Sequence, residues 1–519
     1  MPRSLRLHAV ALLLSVCALP LVRPAGAAGA SDKIDPWVLD QLTLQPSGES
    51  EFLIVLAEQA DLSAAAQLPT KLAKGSYVFE QLQETAARTQ APLLEELARA
   101  GVVHRPFWIA NLVWAKGDAS VIHSIASRPD VAAIAANPLV AERGLGKHVT
   151  FADGGASDAP EAVEWNITKV NAPAVWALGY TGQGVVVAGQ DTGYRWDHAA
   201  LKGKYRGWNG AVADHNFNWH DAIHAGGGSC GANSATPCDD HGHGTHTMGT
   251  MVGDDGGANQ VGRAPGAKWI SCRNMNVGAG TPETYTECWQ WFLAPTDLAN
   301  LNPDPAKAPD VINNSWGCPP EEGCDAFASE AMRLVVESVR AAGIVPVVSA
   351  GNSGSSCSTV ETPAAIYDAA FTVGSTTSTD TISSFSSRGP VTVDSSGRMK
   401  PDISAPGSNI RSSTRTSTTS YEGGWSGTSM AGPHVAGLVA LLLSADPALA
   451  GDVDRIEELI RRSSIQPAFA GQCGVTAGVF PNNTFGAGRI DALAMIQQYI
   501  LFRDDFETNS TSAWSATAP

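Results

Sequence analysis

Gly184-Val185-Val186-Val187-Ala188-Gly189-Gln190 is a short, largely apolar run of strand length, and Asp191-Thr192-Gly193 follows it without a break. A run with no polar alternation reads as a strand buried on both faces. The downstream segments repeat the theme. A helix is expected to begin near His243, Val311 to Asn314 reads as a strand, Phe327 to Ala342 as a helix, and Ile344 to Ser349 as another strand. Continuous apolar strands separated by helices predict an α/β fold with a parallel sheet covered on both faces. Such sheets place ligands at the carboxyl ends of their strands, which is where Asp191 stands.

Two further islands sit at comparable positions. His243-Gly244-Thr245-His246 opens a helix, and Gly427-Thr428-Ser429-Met430-Ala431 leads through Gly432 and Pro433 into the helical run Val435 to Leu443. A serine hydroxyl is a poor nucleophile until an imidazole takes its proton, and that imidazole needs a carboxylate to fix its tautomer. Asp, His and Ser in this chain order satisfy one of three known triad arrangements. Each island alone is weak, since a serine before a helix is commonly an N-cap. An esterase or lipase would carry glycines two residues either side of its nucleophile; Ser429 has Gly427 before it and Ala431 after it.

Taken together, the islands resemble the subtilisin-like serine proteases, the subtilase or peptidase S8 family, and within it the bacillopeptidase F-like branch. Further pieces that carry the resemblance are Val311-Ile312-Asn313-Asn314-Ser315-Trp316-Gly317, Ser349-Ala350-Gly351-Asn352-Ser353-Gly354, Phe385 to Pro390 and Lys400 to Gly407. The likeness runs from about Trp165 to about Gln498. It implies a subtilisin-like three-layer fold with a mostly parallel central sheet, and a serine-type endopeptidase acting on proteins or peptides through an acyl-enzyme. By the same resemblance Ser429 is the nucleophile, His243 the proton carrier and Asp191 its orienting carboxylate. Asn352 and the backbone N–H of Ser429 would hold the oxyanion; loss of such an asparagine in a family member costs about 10²–10³ in turnover. Ser315, Trp316, Gly317, Ala350 and Gly351 are the implied substrate-binding residues. Trp316 stands where relatives often have a smaller apolar residue, so it either narrows the pocket or packs as core. His241 is read as solvent-facing or supporting, and His246 and His434 as packing residues on helices. The chemistry needs no cofactor. A structural calcium ion is left open, with Asp214, Asp221, Asp239 and Asp240 supplying oxygens in no recognisable loop pattern.

The 519 residues carry a formal net charge of -17, which repels phosphate backbones and argues against nucleic acid as a partner. Arg3 and Arg6, the apolar run Leu7 to Leu21 and the small residues Pro24 to Ala30 read as a signal peptide cut after Ala27 or Ala30. No later segment reads as a membrane span. A secreted monomer, extracellular or periplasmic in transit, is expected. Eight cysteines remain beyond the signal, an even set suited to disulfides in an oxidising compartment. Short spacing favours Cys230 with Cys238 and Cys318 with Cys324, leaving Cys272 with Cys288 and Cys357 with Cys473.

Before the α/β region, Glu51 to Leu56 reads as a strand, Tyr77 to Ala100 as a helix, Val102 to Trp114 as extended, Ala119 to Ser127 as a helix and Val131 to Val140 as extended. This small α+β unit resembles the subtilase prodomain, which assists folding and caps the active site until removed. The composition between Ala141 and Ala159 is that of an exposed linker, and cleavage is expected between about Arg143 and Ala159. The organisation predicted is a signal peptide over 1–30, prodomain and linker over 31–150, catalytic domain over 151–498 and a short extension over 499–519. The stretch Tyr194 to Asp240 reads as a disulfide-pinned surface loop.

Overall fold

The computed structural model describes residues 29–45, 47–141, 162–226 and 228–503. All but the last two residues of the expected signal peptide, the stretch Arg143 to Ala159 where cleavage is expected, and the tail beyond 503 lie outside the described residues. In the N-terminal unit the order is α1 (Pro36–Leu44), β1 (Ser50–Leu56), α2 (Lys71–Arg99), β2 (Val103–Phe107), β3 (Leu112–Gly117), α3 (Ala119–Ala126) and β4 (Val131–Ala136). Asp35, Thr70 and Asp118 cap the three helices through their side chains, satisfying backbone N–H groups that a helix start leaves open. The strands form an antiparallel sheet in the order β2-β3-β1-β4. Val102 to Trp114 is a hairpin and not one extended stretch. Asn111, at φ 43°, turns the chain inside the apolar run Phe107 to Trp114, which carries no glycine or proline to signal the turn.

β1 is buried on both faces, and its two faces serve different cores. Phe52, Ile54 and Leu56 join Val38, Ile122 and Ile125 within the unit. Leu53 and Val55 join Trp289, Trp291, Met332 and Val336 from the following unit. The N-terminal sheet therefore packs its second face on α8 (Pro282–Leu293) and α9 (Ala326–Ala341). Polar contacts border the seam: Gln290 Oε1 accepts from Trp108 N at 2.7 Å, Asn137 Oδ1 from Glu283 N at 2.9 Å, and Lys71 pairs with Asp310 at 2.7 Å.

The chain then runs β5 (Val140–Ala141), α4 (Trp165–Lys169), α5 (Ala172–Ala177), β6 (Val186–Asp191), α6 (Ala199–Lys202), β7 (Trp219–Asp221), α7 (His243–Val252), β8 (Lys268–Arg273), β9 (Met275–Asn276), β10 (Ala279–Gly280), α8, β11 (Val311–Asn314), α9, β12 (Val345–Ser349), β13 (Phe371–Thr376), β14 (Ile403–Pro406), β15 (Ile410–Ser413), β16 (Tyr421–Trp425), α10 (Thr428–Ala445), α11 (Val453–Arg462) and α12 (Ala492–Arg503). Seven strands make the main sheet in the order β14-β13-β12-β11-β6-β8-β7, and every pairing in it is parallel. α8 and α9 cover one face; α7, α10, α11 and α12 cover the other. This is the three-layer α/β fold.

One reading needs correction. Tyr194 to Asp240 is not a surface loop, because β7 lies within it as the edge strand and Leu201, Tyr205 and Trp219 are core residues. Its aromatic side chains bury enough surface to draw the segment onto the sheet. α10 is 18 residues long and apolar enough to cross a membrane by composition, but 89% of it is buried as the central helix of this core. The last helix, α12, spans Ala492–Arg503. All four disulfides, Cys230–Cys238, Cys272–Cys288, Cys318–Cys324 and Cys357–Cys473, are formed.

Candidate active site

The carboxyl ends of β6, β11 and β12 and the amino ends of α7 and α10 meet at one place. β6 ends on Asp191, and α7 begins with His243 after Gly242, whose φ of 112° suits glycine. A Cβ on Gly244 would lie 2.1 Å from the Gly193 carbonyl oxygen, so the absence of a side chain there lets the helix approach the Asp191 loop. His243 Nδ1 lies 2.8 Å from both carboxylate oxygens of Asp191, and both side chains are buried. Nδ1 donates to the carboxylate, which leaves Nε2 as the basic nitrogen. That Nε2 is buried and has no hydrogen-bond partner among the described residues.

Ser429 lies in the first turn of α10, only 3% exposed. Its Oγ is turned toward the Ser315 carbonyl oxygen at 3.4 Å, and no hydrogen bond joins it to His243. Such bonds are often long in a resting enzyme and tighten around substrate. Asn352 Oδ1 accepts from Thr428 N at 2.9 Å and from Thr428 Oγ1 at 3.0 Å, so the remaining amide Nδ2 is its free donor. Ser429, Asn352, Ser315, Trp316 and Gly317 line a cleft of about 240 Å³, together with Gly351, Ser353, Thr362 and Thr428. Ala350 does not line it; it is 1% exposed and its N–H donates to the Val373 carbonyl. Trp316 serves both of its expected uses, since its ring is only 4% exposed and stacks on Tyr285 at 3.8 Å while still bordering the cleft.

Supporting residues emerge that the sequence reading weighed only as calcium oxygens or not at all. Asp239 accepts from Thr192 Oγ1, His241 N, Gly242 N, Thr245 N and Thr245 Oγ1, tying the Asp191 turn to the start of α7. An aspartate four residues before a helix-opening histidine was the available signal. Asp221 and Asp240 instead pair with the buried Arg273. Asp214 accepts from Asn216. Among the described residues no three His, Cys, Asp or Glu side chains are grouped to hold a metal ion. Under the site runs a buried amide chain: Asn274 donates to Gln190, Gln190 to Asn314, and Asn314 to the Val347 carbonyl. Such satisfied networks stiffen the sheet where the catalytic loops leave it.

Burial holds His246 and His434 neutral. His246 stacks on Trp425 at 4.5 Å, and burial, with His243 adding, pushes it down to about 3. Burial also holds His434 well below the usual imidazole range; its Nδ1 donates to the Met430 carbonyl at 2.8 Å and its Nε2 accepts from Asn166 at 2.7 Å.

Residues 182–488 match the subtilase family, and the chain belongs to that family. Subtilases are serine endopeptidases and need no cofactor for catalysis. Bacillopeptidase F of Bacillus subtilis (strain 168) is 36% identical across 90% of this chain, although the match spans only 34% of that longer protein. Subtilisin E of the same organism is 29% identical, covering 72% of this chain and 81% of the relative. Serine protease AprX, also from that organism, is 32% identical over 55% of this chain and 62% of its own length.

Proposed function

We propose that this chain is the precursor of a secreted serine endopeptidase, with residues 1–30 a signal peptide, 31–150 an inhibitory prodomain and linker, 151–498 the catalytic domain and 499–519 a short extension. The observation that carries the reading is the buried Asp191–His243 pair at 2.8 Å, set beside a serine at a helix start and a free Asn352 amide. In the reaction His243 Nε2 takes the Ser429 proton as Oγ bonds to the scissile carbonyl carbon. The Ser429 N–H and Asn352 Nδ2 receive the oxyanion. The C–N bond then breaks, His243 protonates the leaving amine, and water repeats the sequence to free the acid.

The prodomain role is supported by β5. Val140 and Ala141 pair antiparallel with Gly280 and Ala279 and line the same cleft as Ser429, the position of a peptide laid along an active site. The slow formation of parallel sheets gives a physical use for a folding assistant. Export is supported by the four disulfides. A structural calcium ion stays an open addition to this reading.

Intact mass and fluorophosphonate labelling of the secreted protein and of Ser429→Ala test it. Wild type is expected to lose about 120 residues beyond the signal, to begin between Arg143 and Ala159, and to take the label; the variant keeps the segment unlabelled. Retention of the segment by both, with neither labelled, removes the protease reading in favour of a binding protein on this scaffold.

A further inference from the structure

The cleft beside Ser429 is acidic. One wall is Ser315, Trp316 and Gly317, the other Gly351, Asn352 and Ser353, and the loop closed by Cys318–Cys324 brings Glu321 and Glu322 to its lining. The walls meet at Thr362, where a Cβ on Gly317 would lie 3.0 Å from Thr362 Oγ1. Glu361, the residue before Thr362, is half-buried. Burial holds its carboxyl above the usual range, the nearby charge of Glu321 adds to that, and the neighbouring Ser353 side chain offsets part of it. Neither Glu321 nor Glu361 has an ion-pair partner among the described residues, and no lysine or arginine lines the cleft. Glu321 lines the cleft and Glu361 stands directly behind its Thr362 wall, and two carboxylates that repel each other across such a partly desolvated wall are stabilised by a cation placed near both.

We propose that this cleft selects a basic side chain, arginine or lysine, at the residue immediately before the scissile bond, with Glu361 and Glu321 as the residues that set the preference. The inference rests on Ser429 being the nucleophile, because a side chain entering a cleft lined by both Ser429 and Asn352 belongs to the residue whose carbonyl is attacked. Its methylene stem lies along the Trp316 edge and the glycine backbones of Gly317 and Gly351, where long cationic side chains pack well. Its head reaches the two carboxylates. An apolar side chain in the same place would leave them desolvated and unpaired, which is a penalty and not merely a missing gain.

The mature enzyme secreted from the full chain is titrated with a fluorophosphonate and then assayed on peptide p-nitroanilides identical except for Arg, Lys, Leu, Phe or Glu before the anilide. Arg and Lys are expected to exceed Leu and Phe in kcat/KM by about tenfold or more, with Glu the poorest and the basic advantage shrinking as salt rises. Glu361→Gln and Glu321→Gln, each corrected for titrated sites, are expected to lower the Arg-to-Leu ratio by about three- to tenfold. Because Glu321 is exposed, its variant keeps the test usable if Glu361→Gln folds poorly. Enzyme that takes the label yet prefers Leu or Phe, or whose ratio moves in neither variant, overturns the acidic-pocket inference and leaves the serine-protease reading standing. Enzyme that takes no label and cuts none of the peptides overturns both.

Discussion

The two sheets of this molecule are covered in different ways. The seven-stranded parallel sheet carries α7, α10, α11 and α12 on one face, all from its own unit, and the core they form is closed without help from residues 29–141. The antiparallel sheet of the N-terminal unit closes one face with its own residues, whereas on its other face Val78 and Leu82 of α2 are joined by Trp289, Trp291, Met332 and Val336 of the following unit. The difference shows in one strand, where Ile54 points into the unit's own core and its neighbours Leu53 and Val55 point into the shared one. A domain of about a hundred residues that lends one face of its sheet to a partner is marginal without it. The N-terminal unit is therefore a docked fold, whereas the catalytic unit owns its central helix and the machinery set on it.

The strongest way to sharpen that contrast is to stop the two units from being separated. Ser429→Ala should lower kcat by about 10⁶ and leave the N-terminal unit attached, read by active-site titration and intact mass. Asn352→Ala leaves the triad in place and should cost about 10²–10³ in kcat with little change in KM, measured on a peptide anilide. Next come the two faces of β1. Leu53→Ala removes apolar contact with Trp289 and Met332, so residues 29–141 supplied in trans should inhibit the mature enzyme about 30-fold or more less tightly. Ile54→Ala should instead lower the unit's own stability, by about 2–4 kcal/mol in chemical denaturation. Equal effects of both variants on inhibition and on stability would break the comparison. The first self-cut should follow Arg143, the first basic residue after Ala141 in the sequence, leaving Gly144 as the new N-terminus on sequencing of the earliest product.

The smallest effect concerns pH at the seam, where Arg105 of β2 pairs with Glu283 and Glu287 of α8. Burial pushes the Glu283 carboxyl up to about 7, with Arg105 pulling it down in part and Glu287 pushing it further up. An acid raised in this way favours the folded precursor fully below its ordinary value near 4.5, and that contribution is lost as pH climbs through about 7. The stability of the Ser429→Ala precursor in chemical denaturation should accordingly be lower at pH 8 than at pH 6, and a rise over that interval would contradict the assignment.

Much of the site was legible because its residues follow local rules. Asp191 ends a continuous apolar strand, His243 and Ser429 begin helices, and all three lie where a parallel sheet exposes its strand ends. The wall residues Ser315, Trp316 and Gly317 follow β11 for the same reason. Less legible were residues whose role depends on what lies across from them. Asp239 looked like a calcium oxygen until the Asp191 turn and the start of α7 were seen to share it. Trp219 read as part of a loop because a three-residue edge strand is too short to show a period. The hairpin at Asn111 was hidden by apolar residues on both sides of its turn.

By itself the sequence determined that the chain builds a parallel α/β sheet, that an aspartate, a histidine and a serine stand at its functional edge, and that eight cysteines suit an oxidising compartment. Those features are carried by hydrophobic runs, helix starts and composition, which neighbouring residues specify. Only the tertiary structure decided which surface covers the second face of β1, that Val140 and Ala141 lie in the cleft, and that Glu321 lines that cleft, with Glu361 next to its Thr362 wall and no basic side chain in the lining. Those pairings join residues far apart in the chain, and their energies depend on distance, burial and the identity of a partner that no local pattern names.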